Sequence, residues 1–296
     1  MNLRKIGFVL SVLFVACWVL SSSGRLAASR QESTSINVDV NLVNVFLTVQ
    51  NPKGEFVSGL SREDFKVYED DVEQRISVFE KDAVDSSFGI LIDNSGSMVD
   101  TLPLVKSGVL DFVGKRRQTD EFFVITFGRT VQTVLDIRQS AQTLESVLKT
   151  VTPEGTSKLY EALITGMNKV SRSNRERKAL IVFTDGNDNG NNSVTFGAVR
   201  LKAQQTGVLL YFIPIGSLIL IDQPVIKDLA ELSGGRVIHL EKSAPIRPAM
   251  ESIRTDLAQQ YYLGYYAPLR PGYHRVRVEI PRRDVRIHAK PGYAGS

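Results

Sequence analysis

The alternation of apolar runs and amphipathic segments after residue 88 constrains the fold of this chain more than any other feature. Five runs are suited to buried strands: 88–92, 122–127, 179–184, 208–215 and 236–240. Amphipathic segments with helical periodicity lie between and after them: 102–116, 140–151, 158–171, 194–206, 223–233 and 245–259. Apolar strands that alternate with helices are typical of a mostly parallel sheet covered on both faces. We therefore predict an α/β fold with a doubly wound sheet, to which residues 130–136 add an antiparallel edge strand.

Strand patterns also flank this α/β unit on both sides, at residues 36–82 and 260–292. In the second flank Val276, Val278 and Ile280 alternate with polar residues and so share one face. Neither flank alone offers a second layer that would cover its apolar face. We therefore expect the flanks to pair into one small β-sandwich, with the α/β domain of residues 86–258 inserted between them. Two separate β elements, each packed on the α/β domain, are the alternative.

Two details of the first flank predict local geometry. The apolar alternation changes phase between Leu42 and Val43, which predicts a β-bulge in one long strand. Further on, Asp70-Asp71 separates two strand-like stretches, 65–69 and 75–79, which predicts a hairpin turn.

The N-terminus has the organisation of an export signal. Arg4 and Lys5 precede a 15-residue apolar stretch at 6–20, and small and polar residues follow up to residue 28. We expect a signal peptide at 1–28, then a polar linker at 29–35, and hence a periplasmic, cell-envelope or secreted protein. An uncleaved anchor is the alternative, although a spanning helix needs about 20 apolar residues.

The single cysteine, Cys17, lies inside this apolar stretch. In a lipid-anchored form, Cys17 would carry the lipid. The protein would contact the membrane only through its N-terminal segment, if that segment is lipidated or stays uncleaved. If the segment is cleaved, the mature chain has no cysteine and no disulfide, so its stability comes from the packed core.

The net charge argues against one class of partner. The chain carries 36 basic and 32 acidic residues, and three of the basic ones, Arg4, Lys5 and Arg25, precede the expected cleavage site. The mature protein is therefore close to neutral. We expect no nucleic-acid partner.

Five residues with side-chain oxygens follow or precede the predicted elements at one edge of the sheet. In a doubly wound sheet, ligands bind outside the carboxyl ends of the strands. Two of the five end apolar runs, two lie on the loop after the first run, and one precedes the helix at 158: Asp93, Asp185, Ser95, Ser97 and Thr156. Two carboxylates and three hydroxyls suit a hard divalent cation that keeps some waters. We predict Mg²⁺, with Mn²⁺ or Ca²⁺ as alternatives, and a preference of the bound ion for a further carboxylate.

These residues resemble the metal-ion-dependent adhesion site of von Willebrand factor type A domains. That site has the form Asp-x-Ser-x-Ser, a distant Thr, and an Asp that is often in Thr-Asp-Gly. Here the elements read Asp93-Asn94-Ser95-Gly96-Ser97, then Thr156, then Thr184-Asp185-Gly186. The resemblance covers about residues 86–258, and the segments 59–65, 262–265 and 290–293 are similar to a bacterial branch of exported relatives. It implies a non-enzymatic protein whose bound ion is completed by an Asp or Glu of a partner protein.

Two further segments are candidates for partner contact. Asp188 lies in a polar loop directly after the metal-site Asp185. Leu218 and Leu220 belong to a loop, 216–222, that we expect at the same sheet edge, where four consecutive apolar residues would form a contact patch. An alternative that the sequence favours equally is that these four residues are buried.

Two other functions compete with adhesion. One is a Mg²⁺-dependent hydrolase with Asp93 as nucleophile, although Ser95 stands where such enzymes usually carry a second Asp as acid and base. The other is a structural envelope component whose metal site is silent.

Overall fold

The computed structural model describes residues 40–81, 84–137, 140–186, 188, 193–215, 223–240, 245–281 and 284–295. The predictions for the signal peptide at 1–28, including Cys17, and for the linker at 29–35 concern residues outside these ranges. The same holds for Leu218 and Leu220. Among the residues described, no helix is both long and apolar enough to cross a bilayer.

The secondary structure of the described residues is named here in chain order. The strands are β1 (Val40–Gln50), β2 (Lys66–Glu69), β3 (Val72–Gln74), β4 (Val78–Glu80), β5 (Ser86–Asp93), β6 (Glu121–Phe127), β7 (Val131–Leu135), β8 (Arg177–Thr184), β9 (Leu209–Pro214), β10 (Tyr261–Pro268), β11 (Gly272–Glu279), β12 (Arg286–Ala289) and β13 (Gly292–Gly295). The α-helices are α1 (Leu102–Gly114), α2 (Ala141–Thr150), α3 (Leu159–Val170), α4 (Phe196–Thr206), α5 (Gln223–Ser233) and α6 (Arg247–Ala258).

A five-stranded sheet forms the centre of the α/β region, in the order β7-β6-β5-β8-β9. The pairs β6–β5, β5–β8 and β8–β9 are parallel, and only β7 runs antiparallel, at the edge. Every residue of β5 and β9 is buried, which explains why these strands read as continuous apolar runs. The predicted doubly wound fold, with residues 131–135 as an antiparallel edge, is confirmed.

Helices cover both faces of this sheet and enclose two apolar cores. Helices α1, α2 and α6 pack on one face around side chains such as Ile90 and Phe183. Helices α3, α4 and α5 cover the other face around Leu91 and Phe212. Full burial of one such side chain contributes about 1.5–3 kcal/mol to folding. The central sheet is therefore a rigid support for the loops at its edges.

The prediction of a buried strand at 236–240 is wrong. Only Val237 pairs with the sheet, through an isolated parallel bridge to Phe212. The Phe212 N–H donates to the Arg236 carbonyl at 3.0 Å, and the Ile238 N–H donates to the Phe212 carbonyl at 2.8 Å. The segment carries Arg236 and His239 among its apolar residues, so it does not provide the continuous apolar surface of a buried strand.

The flanking strands form two further sheets, β12-β1-β10-β4 and β13-β11-β2-β3. Strand β1 pairs antiparallel with β10 over eight residues, from Val40–Pro268 to Leu47–Tyr261. A third apolar core, with Leu47, Val67 and Tyr265 among its members, joins strands of the two sheets. Strands from before and after the α/β region therefore build a common β-sandwich.

The predicted bulge at Leu42 and Val43 is wrong. The register between β1 and β10 runs through both residues without a shift. The apolar pattern changes phase because β1 is buried on both faces in its second half. Val45 and Leu47 point into the sandwich core, whereas Phe46 joins the core of the α/β region.

The hairpin turn at Asp70-Asp71 is present, but its second strand is β3, at residues 72–74, rather than 75–79. Asp70 and Asp71 have φ values of 48° and 66°, which is the geometry of a two-residue type I′ turn. Asp tolerates this left-handed region better than most residues.

Candidate metal centre

Asp93 is the last residue of β5 and is fully buried. Its Oδ1 accepts a hydrogen bond from the Ser95 N–H at 2.9 Å. Its Oδ2 accepts hydrogen bonds from the hydroxyls of Ser157 and Thr184, both at 3.0 Å. These donors are all neutral, so they fix the orientation of the carboxylate without supplying a compensating charge.

The two serines connect Asp93 to the second carboxylate. The Ser95 and Ser97 hydroxyl oxygens lie 3.0 Å apart, within hydrogen-bond distance. The Ser97 hydroxyl donates to Oδ2 of Asp185 at 2.6 Å. A single turn of 3₁₀ helix, Gly96–Met98, places both hydroxyls on the same side of the loop after β5. The ends of β5 and β8 are thereby joined by a chain of hydrogen bonds, which begins with the Ser95 N–H and continues through the two serine hydroxyls.

Thr156 lies on the loop before α3 and is exposed. Both of its neighbours contact the site: the Gly155 carbonyl accepts a hydrogen bond from the Gly96 N–H at 3.1 Å, and Ser157 binds Asp93. The loop that carries Thr156 therefore lies against the loop that carries Ser95 and Ser97, which we call the serine loop. All five predicted residues belong to segments that meet at one sheet edge; their role as metal ligands stays a prediction.

Close backbone packing holds the two loops together. The Glu154 N–H donates to the Asn94 carbonyl at 2.6 Å, and the Asn94 side-chain amide donates to the Thr152 carbonyl at 2.8 Å. A Cβ atom at Gly128 would lie 2.4 Å from the Glu154 carbonyl oxygen, so only glycine fits there.

The electrostatics of this centre are reflected in the pKa of its buried carboxylate, Asp93. Burial raises the pKa of Asp93, and the neighbouring charge of Asp185 raises it further, against the lowering effect of hydrogen bonds from Ser95 and Thr184. A divalent cation beside these carboxylates would stabilise the ionised form of Asp93 and so offset both effects. The oxygen donors and their charge therefore fit a hard cation such as Mg²⁺.

Two further residues, Ser157 and Thr184, belong to this centre and were not predicted from the sequence. Each directly adjoins a predicted ligand, Thr156 or Asp185. Thr184 ends a buried strand, where a polar side chain indicates a hydrogen-bond partner, and this signal could have found it. Ser157 is only 1% exposed, and the polar sequence of its loop gives no indication of this burial.

Asp188 faces α3: its Oδ1 accepts a long hydrogen bond, 3.4 Å, from the N–H of Tyr160 near the start of that helix. This position favours a role in holding the loop after Asp185. Its predicted contact with a partner stays untested, as does that of Leu218 and Leu220.

A second carboxylate group, Glu69, Asp70 and His274, lies in the β-sandwich with potential ligand atoms within 4.8 Å of one another. Glu69 pairs with Arg270 and accepts hydrogen bonds from Tyr265 and Tyr293 at 2.8 and 3.0 Å. Asp70 binds the His274 Nδ1 at 2.9 Å. Because protein donors and cations already bind these carboxylates, the group is a structural network rather than a vacant cation site.

Comparison with known proteins agrees with this geometry. Residues 88–187 match the model of the von Willebrand factor type A domain, and this segment contains all five predicted ligands. No curated protein matches the chain at a significant level.

Solved structures show the same fold at low sequence identity. A von Willebrand factor type A protein from Catenulispora acidiphila is 12% identical, with 89% of this chain and 75% of that one covered and a TM-score of 0.53. Proximal thread matrix protein 1 from the mussel byssus, solved with a zinc-occupied MIDAS motif, is 18% identical over 64% of this chain and 50% of its own, with a TM-score of 0.53. The PilB minor pilin of Streptococcus sanguinis is 10% identical over 61% and 63%, with a TM-score of 0.50.

Proposed function

Because the chain contains a von Willebrand factor type A domain, we propose that it is a metal-dependent binding protein that recognises an acidic residue of a partner protein. In this proposal Asp93, Ser95, Ser97, Thr156 and Asp185 hold the ion directly or through water. Mg²⁺ is the expected ion, with Mn²⁺ or Ca²⁺ as alternatives. The protein is exported and has no catalytic activity of its own.

One observation carries the proposal: the hydrogen-bonded chain from Asp93 through Ser95 and Ser97 to Asp185 contains two carboxylates and otherwise only neutral groups. Hydroxyls are weak ligands, so a divalent ion in this shell keeps a strong attraction for one more anionic oxygen. An Asp or Glu side chain supplies that oxygen with the hard character that Mg²⁺ prefers.

The surface beside the serine loop supports contact with a macromolecule. Val99, two residues after Ser97, is 56% exposed, and Leu104, in the first turn of α1, is 41% exposed. Apolar side chains next to a charged anchor are common in protein interfaces. We therefore infer that the partner's acidic residue is surrounded by apolar contacts on this side.

The hydrolase alternative is disfavoured by the environment of Asp93. The residue two positions after Asp93, where such enzymes usually carry a second Asp as acid and base, is Ser95. Position 95 offers a serine, which is a poor acid or base at neutral pH.

A pull-down from envelope extract tests the proposal. Wild-type protein is used as bait in Mg²⁺ or in EDTA, alongside Ser95→Ala and the exposed Ser146→Ala on α2 as a matched control. We expect a partner that binds wild type and Ser146→Ala in Mg²⁺ only, and that is lost with Ser95→Ala. Binding that is indifferent to both EDTA and Ser95→Ala would support the structural alternative with a silent metal site.

A further inference from the structure

A cavity of about 180 Å³ lies at the opposite edge of the central sheet from the metal centre. It is bounded by the first residues of β5 and β8 and by the C-terminal ends of α1 and α6. Its apolar wall includes Phe88, Phe112 and Leu257. For comparison, a cavity of about 150 Å³ with apolar walls accommodates benzene.

Arg177, the first residue of β8, contributes an unpaired charge to this cavity. It is only 3% exposed, and its Nε has no hydrogen-bond partner in the described part of the chain. Its guanidinium lies 5.5 Å from the centre of the Phe46 ring, and no described carboxylate forms an ion pair with it. Burial lowers the pKa of Arg177 to about 10, so the group still carries its charge at neutral pH.

A buried guanidinium without a carboxylate is unusual, because a buried charge that lacks a partner loses its hydration without compensation. The one acidic residue that lines the cavity does not neutralise it. Asp120 instead forms an ion pair with Arg117 at 3.0 Å and accepts the Ser86 N–H at 2.9 Å. Three of the basic residues that line the cavity, Lys115, Arg117 and Arg254, form ion pairs with carboxylates, whereas Arg116 and Arg177 form none among the described residues. These two guanidinium groups therefore give the cavity a local excess of positive charge.

Arg116 strengthens this charge. Its Nε is also buried without a partner among the described residues, and its Nη1 donates to the Val113 carbonyl at 3.0 Å. A carboxylate has two oxygens that match the parallel N–H groups of a guanidinium edge that includes Nε. A ligand with one carboxylate would therefore satisfy a donor that the protein leaves open.

We propose that this cavity binds a small monocarboxylate whose apolar body is about as large as benzene. The carboxylate pairs with Arg177, and the body fills the space beside Phe88, Phe112 and Leu257. The proposal is independent of the metal centre.

Calorimetric titration in EDTA tests this proposal without any contribution from the metal. The probes are benzoate, the neutral analogue benzyl alcohol, and inorganic phosphate, which has charge but no apolar body. Arg177→Met removes the charge, Arg177→Lys keeps the charge without the planar edge, and Arg286→Met changes an exposed arginine of β12 as the control.

We expect benzoate to bind wild type at least about tenfold more tightly than either other probe. Arg177→Met should weaken benzoate binding about tenfold or more, Arg177→Lys by a smaller factor, and Arg286→Met not at all. Arg177→Met is expected to fold, because it replaces an unpaired buried charge with an apolar side chain of similar length. Absent benzoate binding, equal binding of benzyl alcohol or phosphate, or unchanged binding by Arg177→Met would each overturn the proposal.

Discussion

The carboxylates of the β-sandwich and those of the metal centre are surrounded by different kinds of partners. In the sandwich, Glu69 pairs with Arg270, and Asp70 binds His274. At the edge of the α/β sheet, Asp93 receives hydrogen bonds from a backbone N–H and two hydroxyls. The first group is neutralised by the protein's own cations, and the second is oriented but not neutralised.

This difference separates a structural network from a binding site. Where the protein supplies the positive charge, carboxylates join strands, as Glu69 joins β2 to Tyr265 of β10 and Tyr293 of β13. Where only neutral donors are present, a cation must come from outside the chain. Clusters of acidic residues alone do not distinguish the two cases; the charge of their hydrogen-bond donors does.

The largest effect on stability is expected from Glu69→Gln in the sandwich. The substitution keeps the size of the side chain but leaves Arg270 and two tyrosine hydroxyls with a poorer acceptor. We expect the free energy of unfolding to fall by about 1–3 kcal/mol, measured by urea denaturation. Glu73→Gln, which breaks only the exposed pair with Lys66, should cost less than about 1 kcal/mol. A loss of Mg²⁺ affinity in Glu69→Gln would break the proposed separation of the two regions.

A smaller effect, on Mg²⁺ affinity rather than on the free energy of unfolding, is expected from Gly128→Ala. The new Cβ would meet the Glu154 carbonyl at 2.4 Å, so the loop that carries Thr156 must move. We expect Mg²⁺ affinity to fall several-fold, up to about tenfold, as for other residues that position metal ligands. Gly114→Ala, where a Cβ meets no atom within 4 Å, is the matched control. Equal Mg²⁺ affinity in Gly128→Ala and wild type would show that this loop contributes little to the centre.

The smallest effect is the pH dependence of the metal-free protein, which should have opposite signs in the two regions. The pKa of Asp70 is lowered, chiefly by the hydrogen bond from His274. Ionised Asp70 therefore stabilises the fold, and this stabilisation is lost as the pH falls below 3.8. The pKa of Asp93 is raised, chiefly by burial, so stability falls as pH rises from 3.8 through its higher folded value.

Comparing Asp70→Asn and Asp93→Asn with wild type in EDTA, by urea denaturation from pH 3 to pH 7, measures both signs. Asp70→Asn should be less stable than wild type near neutral pH, and this difference in the free energy of unfolding should shrink toward low pH. Any gain in the free energy of unfolding of Asp93→Asn over wild type should instead grow toward neutral pH. Parallel curves for the two variants would contradict the electrostatic difference between the regions.

Sequence patterns predicted the α/β fold because strands buried on both faces are mostly apolar, and the runs 88–92, 179–183 and 209–213 inside β5, β8 and β9 are apolar throughout. The sequence patterns gave wrong predictions for the bulge in β1 and for the strand at 236–240. Phe46 and Val45 are both buried because β1 lies between two cores, and a single-strand pattern cannot distinguish this from a bulge. Segment 236–240 lies beside β9 but contributes only Val237 to the sheet.

The candidate site was accessible from sequence because its residues follow strand ends at fixed spacing. The sequence did not reveal Ser157, whose hydroxyl binds Asp93, because hydroxyl residues in loops are common without such a role. Thr184, which also binds Asp93, had a signal in its place at the end of a buried strand. Arg177 was equally hidden, since its burial depends on the helices that pack over the start of β8.

The assignment of the metal centre to this edge of the sheet is tested by calorimetric titration of Mg²⁺ into wild type, Asp93→Asn and Glu69→Gln. We expect wild type and Glu69→Gln to bind one ion with equal affinity, and Asp93→Asn, which loses a carboxylate ligand, to bind it about tenfold or more weakly. Binding by Asp93→Asn that matches wild type would contradict the assignment of the metal centre to this edge of the sheet.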